Sequence, residues 1–251
     1  MDSISLLRPL HGDATAASPA QELSESLRKG VYVVIPAYNE RASVGEVVRE
    51  LRTQYPNVVV VDDGSSDGTA EVARDSGATV LRHIVNRGQG AALQSGLEYS
   101  LQRGAEMLVT FDADGQHDAR DVARLLEPIA AGDAEITLGS RFLVPNREVP
   151  LGRRLLLAGG VLFTWIASGI RLSDTHNGIR AFSRRAASQI EICIDGMAHA
   201  SEIIEKVHRT GLRYCEVPVR VRYTSYSLAK GQRSSGAWRI VLDYLMGKVS
   251  R

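Results

Sequence analysis

The 251-residue sequence predicts an α/β protein with a mostly parallel central sheet and helices on both faces. Two observations carry this. From Val31 to Arg141, short β-branched runs alternate with stretches of helical periodicity, the pattern that builds parallel sheets through crossover connections. Polar clusters also recur directly after the apolar runs: Tyr38 and Glu40, Asp62 and Asp63, Asp112 and Asp114, and Arg141. Parallel strands bring such exits to one edge, and open α/β sheets bind ligands outside that edge.

The elements follow in order. Residues 1–30 form an N-terminal extension, partly disordered. In it Ser18-Pro19-Ala20-Gln21 has the form of a helix start, and Leu23 and Leu27 lead to a stop at Gly30. Val31–Ile35 is a central strand with Pro36-Ala37-Tyr38-Asn39-Glu40 as its exit loop. Val44, Val47, Val48 and Leu51 share one helix face. Val58–Val61 is the second strand, Thr69 to Ser76 a short helix closed by Gly77, and Thr79–Arg82 the third strand. Asn86-Arg87-Gly88-Gln89-Gly90 opens a helix carrying Leu93, Leu97 and Leu101. Met107–Phe111 is the fourth strand, Val122 to Ile129 the next helix, and Ile136–Leu138 the fifth strand.

After Arg141 the pattern changes. Leu155–Ile170 is 16 residues without a charge, flanked by arginines. It is shorter than the ~20 residues a spanning helix needs. It reads either as a core helix or as a helix lying at a membrane surface, the latter favoured by Trp165 and the flanking charge. Asp174–Phe182 is a polar loop running into a short strand, and Ile203, Ile204 and Val207 mark a helix ended by Gly211. Tyr214–Tyr223 alternates, with Val217, Val219, Val221 and Tyr223 on one face. Thr224–Gly236 is a mobile basic stretch, and residues 237–251 carry an amphipathic C-terminal helix.

Composition narrows the function classes. Net charge is only +1, which argues against a nucleic-acid binder. The charge is uneven: Phe142 to Arg251 holds 17 basic and 8 acidic residues, net +9, so Met1 to Arg141 is net −8. A basic C-terminal part suits an anionic lipid headgroup or a phosphorylated acceptor. Cys193 and Cys215 lie far apart with no metal spacing, and no secretory signal opens the chain, so a reduced cytosolic compartment is the simpler reading.

The chemistry centres on Val109 to His117, VTFDADGQH. Asp112 and Asp114 at the end of a buried strand can hold a hard divalent cation, which in turn can hold a diphosphate. Arg141 can add charge to neutralise a diphosphate leaving group. The ordered set VVIPAYNE, VVDDGSSDGT, NRGQGAAL, FDADGQH and GSR closely resembles family 2 glycosyltransferases of the Rossmann-like GT-A fold. Within that family it looks most like the dolichyl- or polyprenyl-phosphate mannosyl- and glucosyltransferases.

The resemblance implies one catalytic domain over residues 31–236, with a nucleotide-sugar half to residue 141 and an acceptor half beyond. It implies an inverting transfer of a hexose from a GDP-mannose or UDP-glucose type donor to a lipid phosphate, with Mg²⁺ or Mn²⁺. Gln116 joins Asp112 and Asp114 as a metal ligand. Pro36, Ala37, Tyr38, Glu40 and Asp63 line the base and ribose pocket, with Ala113, Asp114 and Arg141 on the diphosphate. Gly88 and Gly90 let the backbone approach the donor closely. Asp174-x-x-Asn177-Gly178-Ile179-Arg180 matches the acceptor-side loop, with Ile179 in place of the usual aromatic and Arg180 as a phosphate ligand. Tyr223 to Gln232 resembles a loop that closes over the donor, with Ser227, Lys230 and Arg233 as phosphate contacts. Unlike many family members, the chain shows no C-terminal membrane-spanning run. The expected location is the cytoplasm, peripheral at the cytoplasmic face of the membrane.

Other readings stay open. Transfer to a sugar or other hydroxyl needs a general base, for which Glu202 and Asp174 are the candidates. A nucleotide-sugar-binding module without catalysis is opposed by intact Asp112, Asp114 and Arg141. A nucleotidyltransferase would carry a glycine-rich basic loop where this chain has Pro36 to Glu40. Sugar, base and oligomeric state are not readable.

Overall fold

The structure, a computed structural model, describes residues 24–143, 172–174 and 177–222. The expectations for residues 1–23, Leu155–Ile170, Tyr223 to Gly236 and the C-terminal helix lie outside the described residues.

The described chain runs α1 (Glu25–Lys29), β1 (Val31–Ala37), α2 (Val44–Arg52), β2 (Asn57–Asp62), α3 (Thr69–Asp75), β3 (Thr79–Arg82) and α4 (Gln89–Gln102). It continues through β4 (Met107–Thr110), α5 (Arg120–Ala130), β5 (Ile136–Ser140), β6 (Arg180–Ser183), α6 (Arg184–Gln189), α7 (His199–Thr210) and β7 (Tyr214–Pro218). Every strand and helix expected between Val31 and Leu138 is present within a residue or two of its expected bounds. α1 starts later than Ser18: Ser24 caps it, its side chain accepting from the Leu27 amide, and Gly30 closes it.

One seven-stranded sheet has the order β3-β2-β1-β4-β6-β5-β7. Strands β1 to β4 pair in parallel, as do β5 and β7. β6 is antiparallel to both β4 and β5. The sheet is therefore mostly parallel, as expected. The reversal of β6 is not visible in four residues, Arg-Ala-Phe-Ser, because side-chain alternation carries no strand direction.

Alternation along the strands sends side chains to two cores. On one face Val31, Val33 and Ile35 of β1 pack with Val44, Val47, Val48 and Leu51 of α2 and Val122, Leu125 and Leu126 of α5. On the other, Val34, Val59 and Val61 pack with Leu93 and Leu97 of α4, and Ile203, Ile204 and Val207 of α7 close the same layer. Burying both faces explains why these strands read as continuous apolar runs. The expected alternation over Tyr214–Tyr223 shortens: β7 stops at Pro218, Val217 and Val219 enter the first core, and Val221 makes an isolated bridge to His117. Proline cannot donate to a ladder, which ends the strand there. Both described cysteines are unpaired.

β1 lies between β2 and β4, and the chain leaves β1 for opposite directions of the sheet. That is the topological switch where open α/β sheets hold ligands. The exits of β1, β2, β4 and β5 meet there.

Candidate active site

The loops after β1 and β2 are built as one unit. Asn39, with φ 52°, accepts from the Ser66 amide, and its own amide donates to Ser65 Oγ. The Glu40 amide donates to Thr69 Oγ1 at 2.9 Å, and Ser43 donates to the Glu40 carboxylate. Tyr38 is left 46% exposed at the mouth of this loop, available to flank a planar ligand. Pro36 and Ala37 are the last residues of β1, paired with Val61 and Asp62.

Asp62 and Asp63 are both buried. Asp62 accepts from the Ser65 amide at 3.2 Å and ion-pairs with Arg82, so it fixes the loop. Asp63 accepts from the amides of Arg87 and Gly88 at 2.9 and 2.7 Å, and it bonds His83 Nδ1 at 2.7 Å. It thereby ties the β2 exit to the start of α4. The close approach that Gly88 and Gly90 allow is taken by the chain itself: a Cβ at either would collide with the carbonyls of Ile194 and Asp195. The Gly90 amide donates to the Asp195 carbonyl at 2.8 Å.

Asp112 and Asp114 follow β4 with Ala113 buried between them. Asp112 accepts from Gln89 Nε2 at 3.2 Å and from His117 Nε2 at 3.0 Å. Burial disfavours its charge, but the His117 hydrogen bond and the positive potential of His117 and Arg180 outweigh this and hold the carboxyl below its ordinary range. Asp114 goes the other way: burial and then the charge of Asp112 raise it, against one hydrogen bond from the Gln116 amide. Asp114 thus has less positive charge around it than Asp112.

The residues fit a divalent metal by this observation. Asp112, Asp114 and the Gln116 side chain offer only hard oxygen ligands. Among the described residues no group of three His, Cys, Asp or Glu side chains is arranged to hold a metal by itself. A cation here would take its remaining ligands from a bound molecule or water.

The acceptor-side residues arrive by the reversal of β6. Because β6 runs antiparallel, its first residue, Arg180, sits opposite Thr110 and Leu138, at the same edge as the other strand exits. Arg180 is 3% exposed, and its Nη1 has no hydrogen-bond partner among the described residues. Burial draws its pKa down to about 10, against Asp112 and Asp174, which support its charge. Gly178 lies hard against Asp112, whose carboxylate a Cβ there would strike, and its carbonyl accepts from Thr110 Oγ1 at 2.8 Å. Arg141, at the exit of β5, donates through Nε to Asp174 Oδ2 at 2.6 Å, and both side chains are buried.

Glu202 is buried on α7. It accepts from the amides of Cys193 and Ile194, at 3.0 and 2.8 Å, and pairs with Lys206 at 3.0 Å. It thus clamps the segment that covers Gly88 and Gly90.

The structure adds residues that sequence reasoning left without a role. His117 was inside the motif, yet its bond to Asp112 depends on the turn of the loop. Gln89 lay in the glycine-rich loop. His199, one helical turn before Glu202, is 4% exposed and donates through Nδ1 to the Gly196 carbonyl at 2.9 Å. Burial and then the nearby Arg180 draw its pKa down to about 4. Its only sequence signal was that helical spacing from Glu202. Lys230 and Arg233 lie outside the described residues.

A switch-point sheet edge with a paired-aspartate exit and a buried arginine agrees with a glycosyltransferase of the GT-A fold, and similarity to known proteins shows that class. The chain belongs to glycosyl transferase family 2, whose family model matches residues 32–191. It is 31% identical to a UDP-N-acetylglucosamine–dolichyl-phosphate N-acetylglucosaminyltransferase of Methanococcus voltae, over 89% of this chain and 98% of that one. It is 32% identical to an undecaprenyl-phosphate mannosyltransferase of Micrococcus luteus, over 82% of this chain and 88% of that one. In fold it is similar to the Mycobacterium tuberculosis glucosyl-3-phosphoglycerate synthase crystallised with Mn²⁺ and UDP-glucose. That match has a TM-score of 0.66 at 20% identity and covers 89% of this chain and 80% of the other.

Proposed function

We propose that this enzyme moves a hexose, with inversion, from a nucleotide-diphosphate sugar to a polyprenyl or dolichyl phosphate, using Mg²⁺ or Mn²⁺. The observation that carries the acceptor class is Arg180: a buried guanidinium whose Nη1 has no partner among the described residues, beside Asp112 and Asp174. A buried unsatisfied cationic donor is costly, and a phosphate oxygen would satisfy it. The engagement of Asp174 by Arg141, and of Glu202 by backbone amides, supports the same reading. A hydroxyl acceptor needs a base to take its proton, whereas a phosphate is already ionised.

In this reading Tyr38 flanks the base, and Pro36, Ala37 and Glu40 line the ribose side. Asp63, Gly88 and Gly90 shape that pocket by fixing the loop from His83 to Gly90. Asp112, Asp114 and Gln116 would hold the metal, which when bound neutralises charge developing on the diphosphate. Arg141 adds to that neutralisation. The phosphate oxygen of the acceptor attacks the anomeric carbon from the face opposite the diphosphate, the carbon–oxygen bond to the diphosphate breaks, and its electron pair leaves with the nucleotide. Lys230 and Arg233 are proposed to reach the donor phosphates.

Among the described residues no helix is long and apolar enough to cross a membrane. We place the enzyme peripherally at the cytoplasmic face, with Leu155–Ile170 at the lipid surface. Each basic residue near an anionic surface contributes ~1 kcal/mol, so a few suffice.

The test is a thermal-shift series with UDP, GDP and their hexose conjugates, with and without Mn²⁺ or Mg²⁺, followed by transfer to a short-chain polyprenyl phosphate. A nucleotide at ~100 times its Kd should stabilise the fold by ~2.7 kcal/mol. Turnover on a sugar hydroxyl, with none on polyprenyl phosphate, would overturn the acceptor assignment. Release from anionic vesicles at high salt, and weakened binding in Arg153→Glu/Arg154→Glu, are the expected membrane results. A protein that ignores vesicles at every salt concentration refutes the lipid-surface placement.

A further inference from the structure

Glu216 lies on β7, the edge strand, opposite Leu138 of β5. Its sequence context, Tyr-Cys-Glu-Val-Pro, marks only an alternating strand. In the structure its carboxylate collects donors from a segment 42 and 43 residues away. The Ser173 amide donates to both oxygens at 2.9 and 3.0 Å, the Ser173 hydroxyl to Oε1 at 2.7 Å, and the Asp174 amide to Oε1 at 3.2 Å.

This binding sets the direction of a longer chain. A carboxylate only accepts, so the Ser173 hydroxyl spends its proton on Glu216. The Ser140 hydroxyl, 2.6 Å from Ser173 Oγ, must then be the donor in that contact. Ser140 Oγ in turn accepts from the Phe142 amide at 3.3 Å. Glu216 thus orients the hydroxyls of Ser173 and of Ser140, the residue before Arg141 in the β5 exit. It also fixes the backbone of Asp174, whose Oδ2 receives both the Arg141 amide, at 3.2 Å, and Arg141 Nε, at 2.6 Å.

We propose that Glu216 is a positioning residue for Arg141. It holds the Ser173–Asp174 turn, and through it the guanidinium, at the place where the diphosphate charge develops. The proposal rests on the reading of Arg141 as a diphosphate-neutralising group. Edge-strand pairing alone would not require a carboxylate here, since the β5–β7 register is made by backbone bonds and Val217 supplies the core contact. Chains of hydrogen bonds ending on a charge are stronger than their separate pairs and hold geometry more tightly.

The test is a double-mutant cycle on the full-length protein. Glu216→Gln keeps size but puts an NH2 group in place of one oxygen: with the remaining oxygen at Oε1 the Ser173 amide meets a donor at Oε2, and with it at Oε2 the Ser173 hydroxyl and the Asp174 amide lose their acceptor. Expected is a tenfold or greater loss of kcat in the wild-type background, less than twofold in an Arg141→Lys background, and a melting temperature held within a few degrees. Ser173→Ala, which removes the hydroxyl relay but keeps the backbone bonds, should lose less than Glu216→Gln. The same cycle is read on the half-saturating concentration of UDP or GDP with Mn²⁺, so that low turnover of a double variant leaves the outcome measurable. Equal losses in both backgrounds, or none in Glu216→Gln and Glu216→Asp alike, overturn the proposal. If Glu216→Gln does not fold, the comparison passes to Glu216→Asp and Ser173→Ala, read in the same two backgrounds. An Arg141→Lys enzyme with wild-type turnover and nucleotide affinity would instead overturn the role of Arg141.

Discussion

Two aspartate pairs stand at neighbouring strand exits of the same sheet edge, and the protein treats them in opposite ways. Asp62 and Asp63 are tied into the fold. Between them they engage the amides of Ser65, Arg87 and Gly88, the His83 ring and the Arg82 guanidinium. Among the described residues Asp112 and Asp114 receive fewer donors, one lies below and one above its ordinary range, and Arg180 stands beside them with a nitrogen left without a partner. The first pair is mortar between loops. The second keeps fewer donors, as the proposed metal and diphosphate site would need. A carboxylate's role is thus set by whether the fold supplies its donors, since buried charge without partners is costly.

The sharpest way to break this contrast is catalytic. Asp114→Asn and Asp112→Asn should each lower turnover by about 10³-fold or more, roughly 4 kcal/mol of transition-state stabilisation, with near-native melting. Circular dichroism and a Mn²⁺ titration of the activity check both halves. Activity that persists in excess chelator would place the second pair with the first.

Acid should expose the buried cluster around Arg180. His199 has its pKa drawn from 6.5 to about 4, so the folded protein holds it neutral while the unfolded chain takes up a proton below 6.5. Its stabilising contribution is full above pH 6.5 and is lost as the pH falls towards 4, at up to ~1.4 kcal/mol per pH unit. His199→Gln should flatten the melting temperature across that window. An unchanged slope would remove His199 from the acid response.

A smaller effect separates the pairs by stability alone. Asp63→Asn keeps one acceptor oxygen but sets an NH2 group against either the Gly88 amide or the Arg87 amide and His83 Nδ1, and should cost about 2 kcal/mol. Asp114→Asn removes a buried charge and its repulsion with Asp112 and should hold or raise the melting temperature in metal-free buffer. Equal destabilisation by both, in matched denaturant titrations, would erase the distinction.

The sequence determined by itself the elements from Val31 to Leu138 and the polar residues at each strand exit. Those are local facts: β-branched runs, helical spacing and glycine stops act over a few residues. It also carried Asp112, Asp114, Arg141, Asp174 and Arg180 as candidates through their motifs, and the family match followed the same residues. Only the tertiary structure decided that β6 reverses and so delivers Arg180 to the sheet edge from the start of a strand. It alone saturated Asp63 with donors 20 to 25 residues away and gave Glu216 the Ser173–Asp174 turn. It also turned Glu202 onto the backbone of Cys193 and Ile194. A residue type and its neighbours in the chain state that a group can accept a hydrogen bond. Which donor reaches it, and whether one is left unmade, depends on how distant segments meet.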